Sequence, residues 1–237
     1  MEPHAIQYRF EMEDGTRAVF DIKLDPQTMQ LPEPGPRVPE WAALDFHQCP
    51  HCPLSPQEHR YCPAAAHLGR LVTLVDHLPS HAPARVEVST AERNIVQQTT
   101  VQRGVSALMG LLMATSGCPV TRFFRPMARF HLPLASAEET AFRAASTYLL
   151  AQYFKRQRGE GGELELDGLR AIYADIHQLN RAFAKRLRAA TQTDSSVNAV
   201  ILLDVLAGGL AAEDDDRLPE LEAYFSAYLE GGADRAR

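Results

Sequence analysis

Four cysteines stand in the chain as Cys49-Pro50-His51-Cys52-Pro53, Cys62-Pro63 and Cys118-Pro119, a C-x2-C-x9-C-x55-C series in which each cysteine precedes a proline. Four thiolates complete the ligand set of tetrahedral zinc or of an iron-sulfur cluster, and a C-x2-C pair can offer two of them from one turn. The first residues, MEPHAIQYRF, lack the basic segment and apolar run of a secretion signal. A cytoplasmic chain with reduced thiols is therefore expected, and a disulfide framework is not. Cys49, Cys52, Cys62 and Cys118 are the expected metal ligands.

The prolines bear on which metal. A proline after a ligand fixes the local backbone and removes a donor, and a Cys-Pro pair also ends the bacterial ferredoxin ligand run. In a zinc knuckle the residue after the second cysteine is commonly glycine, free to take positive φ, whereas here it is Pro53. The balance favours a 4Fe-4S cluster used for electron transfer or redox sensing, with a redox partner. The alternative is a structural four-cysteine zinc site in a non-enzymatic interaction protein that docks a partner protein. Free cysteines packed as small hydrophobes, and a three-cysteine zinc enzyme, carry less weight.

Histidines crowd the same region, six of the nine being His47, His51, His59, His67, His77 and His81. Most are expected to be locally satisfied. His51, inside the C-x2-C, and His131, in RFHLP, are the two candidates to donate to a cluster sulfur or to replace a cysteine on zinc.

Several other patterns have plainer explanations. Arg122 to His131 interleaves cations with aromatics, a mixture that can hold single-stranded nucleic acid, but the chain carries a net charge of -6. Nucleic acid is disfavoured, and the aromatics are expected to pack while the arginines pair with carboxylates. Arg181, Lys185, Arg186 and Arg188 read as a solvated basic helix face, Tyr148, Tyr153 and Phe154 as core, and Glu213 to Asp216 as a loop. No phosphate-binding glycine loop, nucleophile elbow, H-E-x-x-H or kinase signature occurs, so the common enzyme classes find no support. Whether the chain catalyses anything stays open.

The positioning elements can be read from periodicity. Tyr8, Phe10 and Met12 alternate with polar residues, as do Phe20, Ile22 and Leu24, with Asp14-Gly15 between them. That is a β-hairpin over residues 1–24. Residues 25–62 form a connector and cysteine loop, five prolines falling within 25–40. Pro63 is suited to open a helix ending by Pro79, and Arg85 to Thr90 alternates as a third strand for the hairpin. Thr99 to Ser116 is an apolar helix that Gly117 ends in the left-handed conformation. Ser136 and Glu139 form a capping box for a helix that Gly159 closes. Further helices are expected over Asp167 to Ala190, over Val197 to Leu206 with Asp194 and Ser195 as caps, and over Leu218 to Leu229. The expectation is one α+β domain over 1–237, predominantly α: a small N-terminal antiparallel sheet, hairpin plus one strand, packed on a helical bundle over 63–237.

The segments CPHCPLSPQEHRYCPAAAHL, TSGCP, RFHLPLASAEETAFRAASTYLLAQYF and SSVNAVILLDVL, with the hairpin, resemble an uncharacterised bacterial family known only as a domain of unknown function. The resemblance covers nearly the whole chain. It groups Cys49, Cys52, Cys62 and Cys118 as motif residues and implies nothing about substrate.

With 237 residues, 45% hydrophobic and 23% charged, the composition is that of an ordinary globular protein. No stretch approaches the roughly 18 consecutive apolar residues of a membrane span.

Overall fold

In the computed structural model, which describes residues 2–76, 78–192, 194–211 and 217–230, alternation at the N-terminus becomes a sheet with one buried face. Strands β1 (His4–Met12) and β2 (Arg17–Leu24) pair antiparallel with Tyr8 opposite Phe20 and Phe10 opposite Ala18. Gly15 takes φ +84° in the connecting turn, which closes by Gly15 N–H to Met12 O at 3.0 Å. A side chain there would strain the turn. β3 (Pro83–Ser89) pairs with β1, placing Val88 opposite Tyr8 and Val86 opposite Phe10, as the sequence led one to expect.

The sheet has a fourth strand that periodicity did not reveal. β4 (Asn94–Thr100) pairs with β3, and the order is β2-β1-β3-β4. Its sequence, NIVQQTT, is an edge strand's: half-exposed, with little apolar surface to bury, so the alternation signal is weak.

Ile6, Tyr8, Phe10, Phe20, Ile22, Leu24, Val86 and Val88 are buried on the inner face of the sheet. Helix α1 (Pro63–Val75) packs on α2 (Val101–Thr115), and α2 lies on the sheet at Gly104, from which a Cβ would stand 2.7 Å from both Phe10 Cε1 and Val86 Cγ2. Gly117, at φ +89°, ends α2 in the expected left-handed conformation. A short helix, α3 (Arg125–Arg129), follows a turn of 3-10 helix, and its surroundings depart from expectation. Phe123 and Phe130 are exposed, while Arg129 does meet a carboxylate, Glu92, at 3.4 Å.

α4 (Ala137–Gln157) opens on the predicted capping box, with Glu139 N–H donating to Ser136 Oγ at 3.0 Å and Ser136 N–H to Glu139 Oε2 at 2.7 Å. Tyr153 and Phe154, read from the sequence as core, are instead more than half exposed. α5 (Asp167–Ala190) has the predicted bounds, and α6 (Ser195–Ala211) runs further than expected. The last helix is broken into α7 (Arg217–Leu221), a 3-10 turn and α8 (Ser226–Leu229). His77 and Glu213 to Asp216 lie outside the described residues.

The fold is α+β and mainly α. By compactness it has two units, one comprising residues up to Leu134 with Asp175–Val205, the other Ala135–Ala174 with the residues from Leu206 on. The first contains the sheet, α1 to α3, most of α5 and the start of α6, and it carries all four cysteines. The second is built around α4, with Ala141, Ala144, Leu169, Tyr173 and Leu210 among its buried residues. Among the described residues no helix is long and apolar enough to cross a membrane.

Candidate metal centre

The loop carrying the first two cysteines is short and braced. Cys52 N–H donates to Cys49 O at 3.0 Å, so Cys-Pro-His-Cys closes a turn with Pro50 at the position where its fixed φ is favourable. Gln48 Nε2 donates to Leu54 O at 2.9 Å and ties the two flanks of that turn together. Further out, Ala43 bridges Tyr61, with Leu44 N–H to Arg60 O at 3.0 Å and Cys62 N–H to Ala42 O at 2.8 Å. The excursion from Leu44 to Arg60 is thus zipped at its base, and Cys62 emerges at a fixed point.

Cys62 is the N-cap of α1, its backbone extended and Pro63 at the first helical position. The proline has no N–H to leave unpaired, and Ala64, Ala65 and Ala66 are small enough to be buried directly behind it. Cys118 comes from the other direction. Gly117 turns the chain out of α2, Cys118 N–H donates to Ser116 Oγ at 3.2 Å, and Thr121 Oγ1 donates to Met113 O at 2.6 Å. Two of the four side chains, Cys62 and Cys118, are buried in the core, and Cys49 and Cys52 are half-buried against it.

The four thiols share one electrostatic neighbourhood. Cys49 is pushed up to about 12 by burial, and after burial by the proximity of Cys62, Cys118 and Cys52, with Arg186 opposing. Burial likewise raises Cys62, while the first-turn amides of Ala65 and Ala64, together with Arg186, pull it down. Burial is the larger cause for both Cys49 and Cys62, because a thiolate in low dielectric loses its hydration. All four thiols are free. Among the described residues no three His, Cys, Asp or Glu side chains form a ready metal-holding group.

Arg186 corrects the sequence reading of a solvated basic face. It is 2% exposed. Its Nη1 donates to Trp41 O and Ala43 O, both at 2.8 Å, and its Nη2 to Leu44 O at 3.3 Å, so one guanidinium binds the base of the cysteine excursion. Burial lowers its pKa, and the cysteines with Asp45 push it back up. A signal was present in the sequence, since Arg186 falls three residues after Phe183 and seven after Leu179, on the buried stripe of α5 rather than beside it.

The two singled-out histidines go to different places. His51 lies within the C-x2-C turn, and both of its ring nitrogens are buried with no hydrogen-bond partner. His131 meets β1, its Nε2 lying 2.5 Å from the hydroxyl of fully buried Tyr8.

The chain belongs to a family described as a domain of unknown function (DUF6901), whose model matches residues 6–226. No curated protein and no solved structure matches it.

Proposed function

We propose that this member of the family is a metal-binding protein in which Cys49, Cys52, Cys62 and Cys118 hold an iron-sulfur cluster for electron transfer or redox sensing. The observation that carries the reading is that Cys62 and Cys118 are buried in the same core against which half-buried Cys49 and Cys52 pack, with the buried Arg186 guanidinium bonded to the base of the cysteine loop. Four thiolates around a zinc ion or an oxidised 4Fe-4S cluster leave a double negative charge. A buried guanidinium next to them offsets part of it, which an uncharged core would not. Two thiols are part-exposed, giving a redox partner an approach, and His51, whose ring nitrogens are both unpartnered, has one N–H that a cluster sulfur can accept.

A second reading, a structural zinc site on the same four cysteines, has its own support: Cys62 and Cys118 sit in the core and join the start of α1 to the end of α2. Zinc there would act as a clip.

Metal analysis and an absorption spectrum of full-length protein, purified without oxygen and without a metal-binding tag, separate the two. Iron with acid-labile sulfide and a broad visible absorption band, lost in Cys62→Ser and Cys118→Ser, is the expected result. One zinc per chain with no visible band selects the structural site. A metal-free chain that is stably folded, with unchanged stability in both serine variants, refutes both.

A further inference from the structure

On the outer side of the cysteine loop a cavity of about 370 Å³ opens between the loop and α5, lined by His47, Gln48 and Pro50 from one wall and Gln178, Arg181 and Lys185 from the other. Its volume falls within the roughly 300–1,000 Å³ typical of small-molecule sites. Gln178, Arg181 and Lys185 are spaced by three and four residues, so they project from one face of α5. The opposite face carries Leu179, Phe183 and Leu187 into the core and fixes the helix.

The lining is unusual for this molecule. The chain as a whole is at -6, yet the cavity presents one guanidinium, one ammonium, two amides and an imidazole, and no carboxylate. Neither Arg181 nor Lys185 enters an ion pair among the described residues. The loop wall is held in place: Gln48 is fixed to Leu54 O. His47 sits at φ +49°, a left-handed conformation that costs a non-glycine residue energy.

We propose that this cavity is a binding site for a small phosphate-bearing anion. A guanidinium fork takes two phosphate oxygens, the lysine supplies a second positive charge, and the amides and imidazole are donors for what remains. A dianion matches the pair of cations. The pocket is open and Arg181 and Lys185 are both exposed, so a small anion can reach the two cations from solvent. Gln48 and Pro50 flank Cys49, so the anion would lie next to the cysteine site, but its recognition uses neither thiols nor metal.

The test is calorimetric titration of the full-length protein with inorganic phosphate and with glycerol 3-phosphate, at two salt concentrations. Saturable one-to-one binding is expected, weaker at high salt. Arg181→Gln and Lys185→Gln should each weaken it about tenfold or more, and Arg188→Gln, an exposed cation on the same helix that does not line the cavity, should leave it intact. Tighter binding of the ester identifies a phosphorylated small molecule, and equal or tighter binding of inorganic phosphate identifies the free ion. The same titration on Cys62→Ser separates the two readings, because phosphate binding should survive loss of the metal. No saturable binding, or an equal loss in all three charge variants, overturns the proposal.

Discussion

Arg186 is the residue on which the cysteine loop hangs. Arg186→Met would strip three carbonyl acceptors of their donor in a buried place, and the expected loss is about 3 kcal/mol, measured by urea unfolding. Arg186→Lys should recover only part, because an ammonium cannot span the carbonyls of Trp41, Ala43 and Leu44 as the planar fork does. His67, on α1, supplies a pH dependence. Burial holds its pKa below the usual histidine value, against the pull of Glu33. The unfolded chain therefore takes up this proton more readily than the folded one. Stability is unaffected above about pH 6.5 and falls as the pH drops from there towards the folded pKa. Unfolding midpoints at neutral and mildly acidic pH should diverge in the native protein and diverge less in His67→Gln. At this scale the sequence was half legible. The place of Cys62 just ahead of a helix opened by Pro63 could be read from the sequence, but Arg186 could not, because residue type argued for solvent and only its place on the α5 stripe argued otherwise.

At the scale of elements, the glycines of α2 divide by what they face. Gly104 lies against Phe10 and Val86, where a methyl group has no room, and Gly104→Ala should cost about 1–2 kcal/mol despite alanine's better helix propensity. A Cβ at Gly110 would meet only Leu203 Cδ2, in van der Waals contact at 3.4 Å, so Gly110→Ala should be neutral or gain up to about 1 kcal/mol. Thermal unfolding of the two variants side by side tests whether α2 is set by its approach to the sheet. The elements most legible in the sequence were those with a complete local signal: the hairpin with Asp14-Gly15, α4 with both partners of its capping box, and α5 with an unbroken stripe. Those that escaped lacked one. β4 is polar and pairs on one side only, and the break between α7 and α8 leaves Tyr224 and Tyr228 largely exposed, so no buried stripe marks it.

For the whole molecule, all four cysteines fall in the first compact unit. If they bind metal, the binding energy stabilises that unit and the second gains none directly. Removing the metal with a chelator should speed amide exchange in residues 42–66 and 115–121 by at least tenfold while leaving α4 unchanged, as hydrogen exchange read by mass spectrometry would show.

The strand order has a further consequence, for the timing of assembly. β1 finds its second neighbour only in β3, and residues 13–82, with the turn, β2, the cysteine excursion and α1, leave the ribosome between them. An isolated hairpin is marginal in water, and closing so long a loop costs entropy before any contact repays it. Three cysteines are therefore synthesised into a chain with no sheet to frame them, and the fourth follows only after β3 and β4 have been made. Whatever those three thiols meet during synthesis, they meet as members of an open chain.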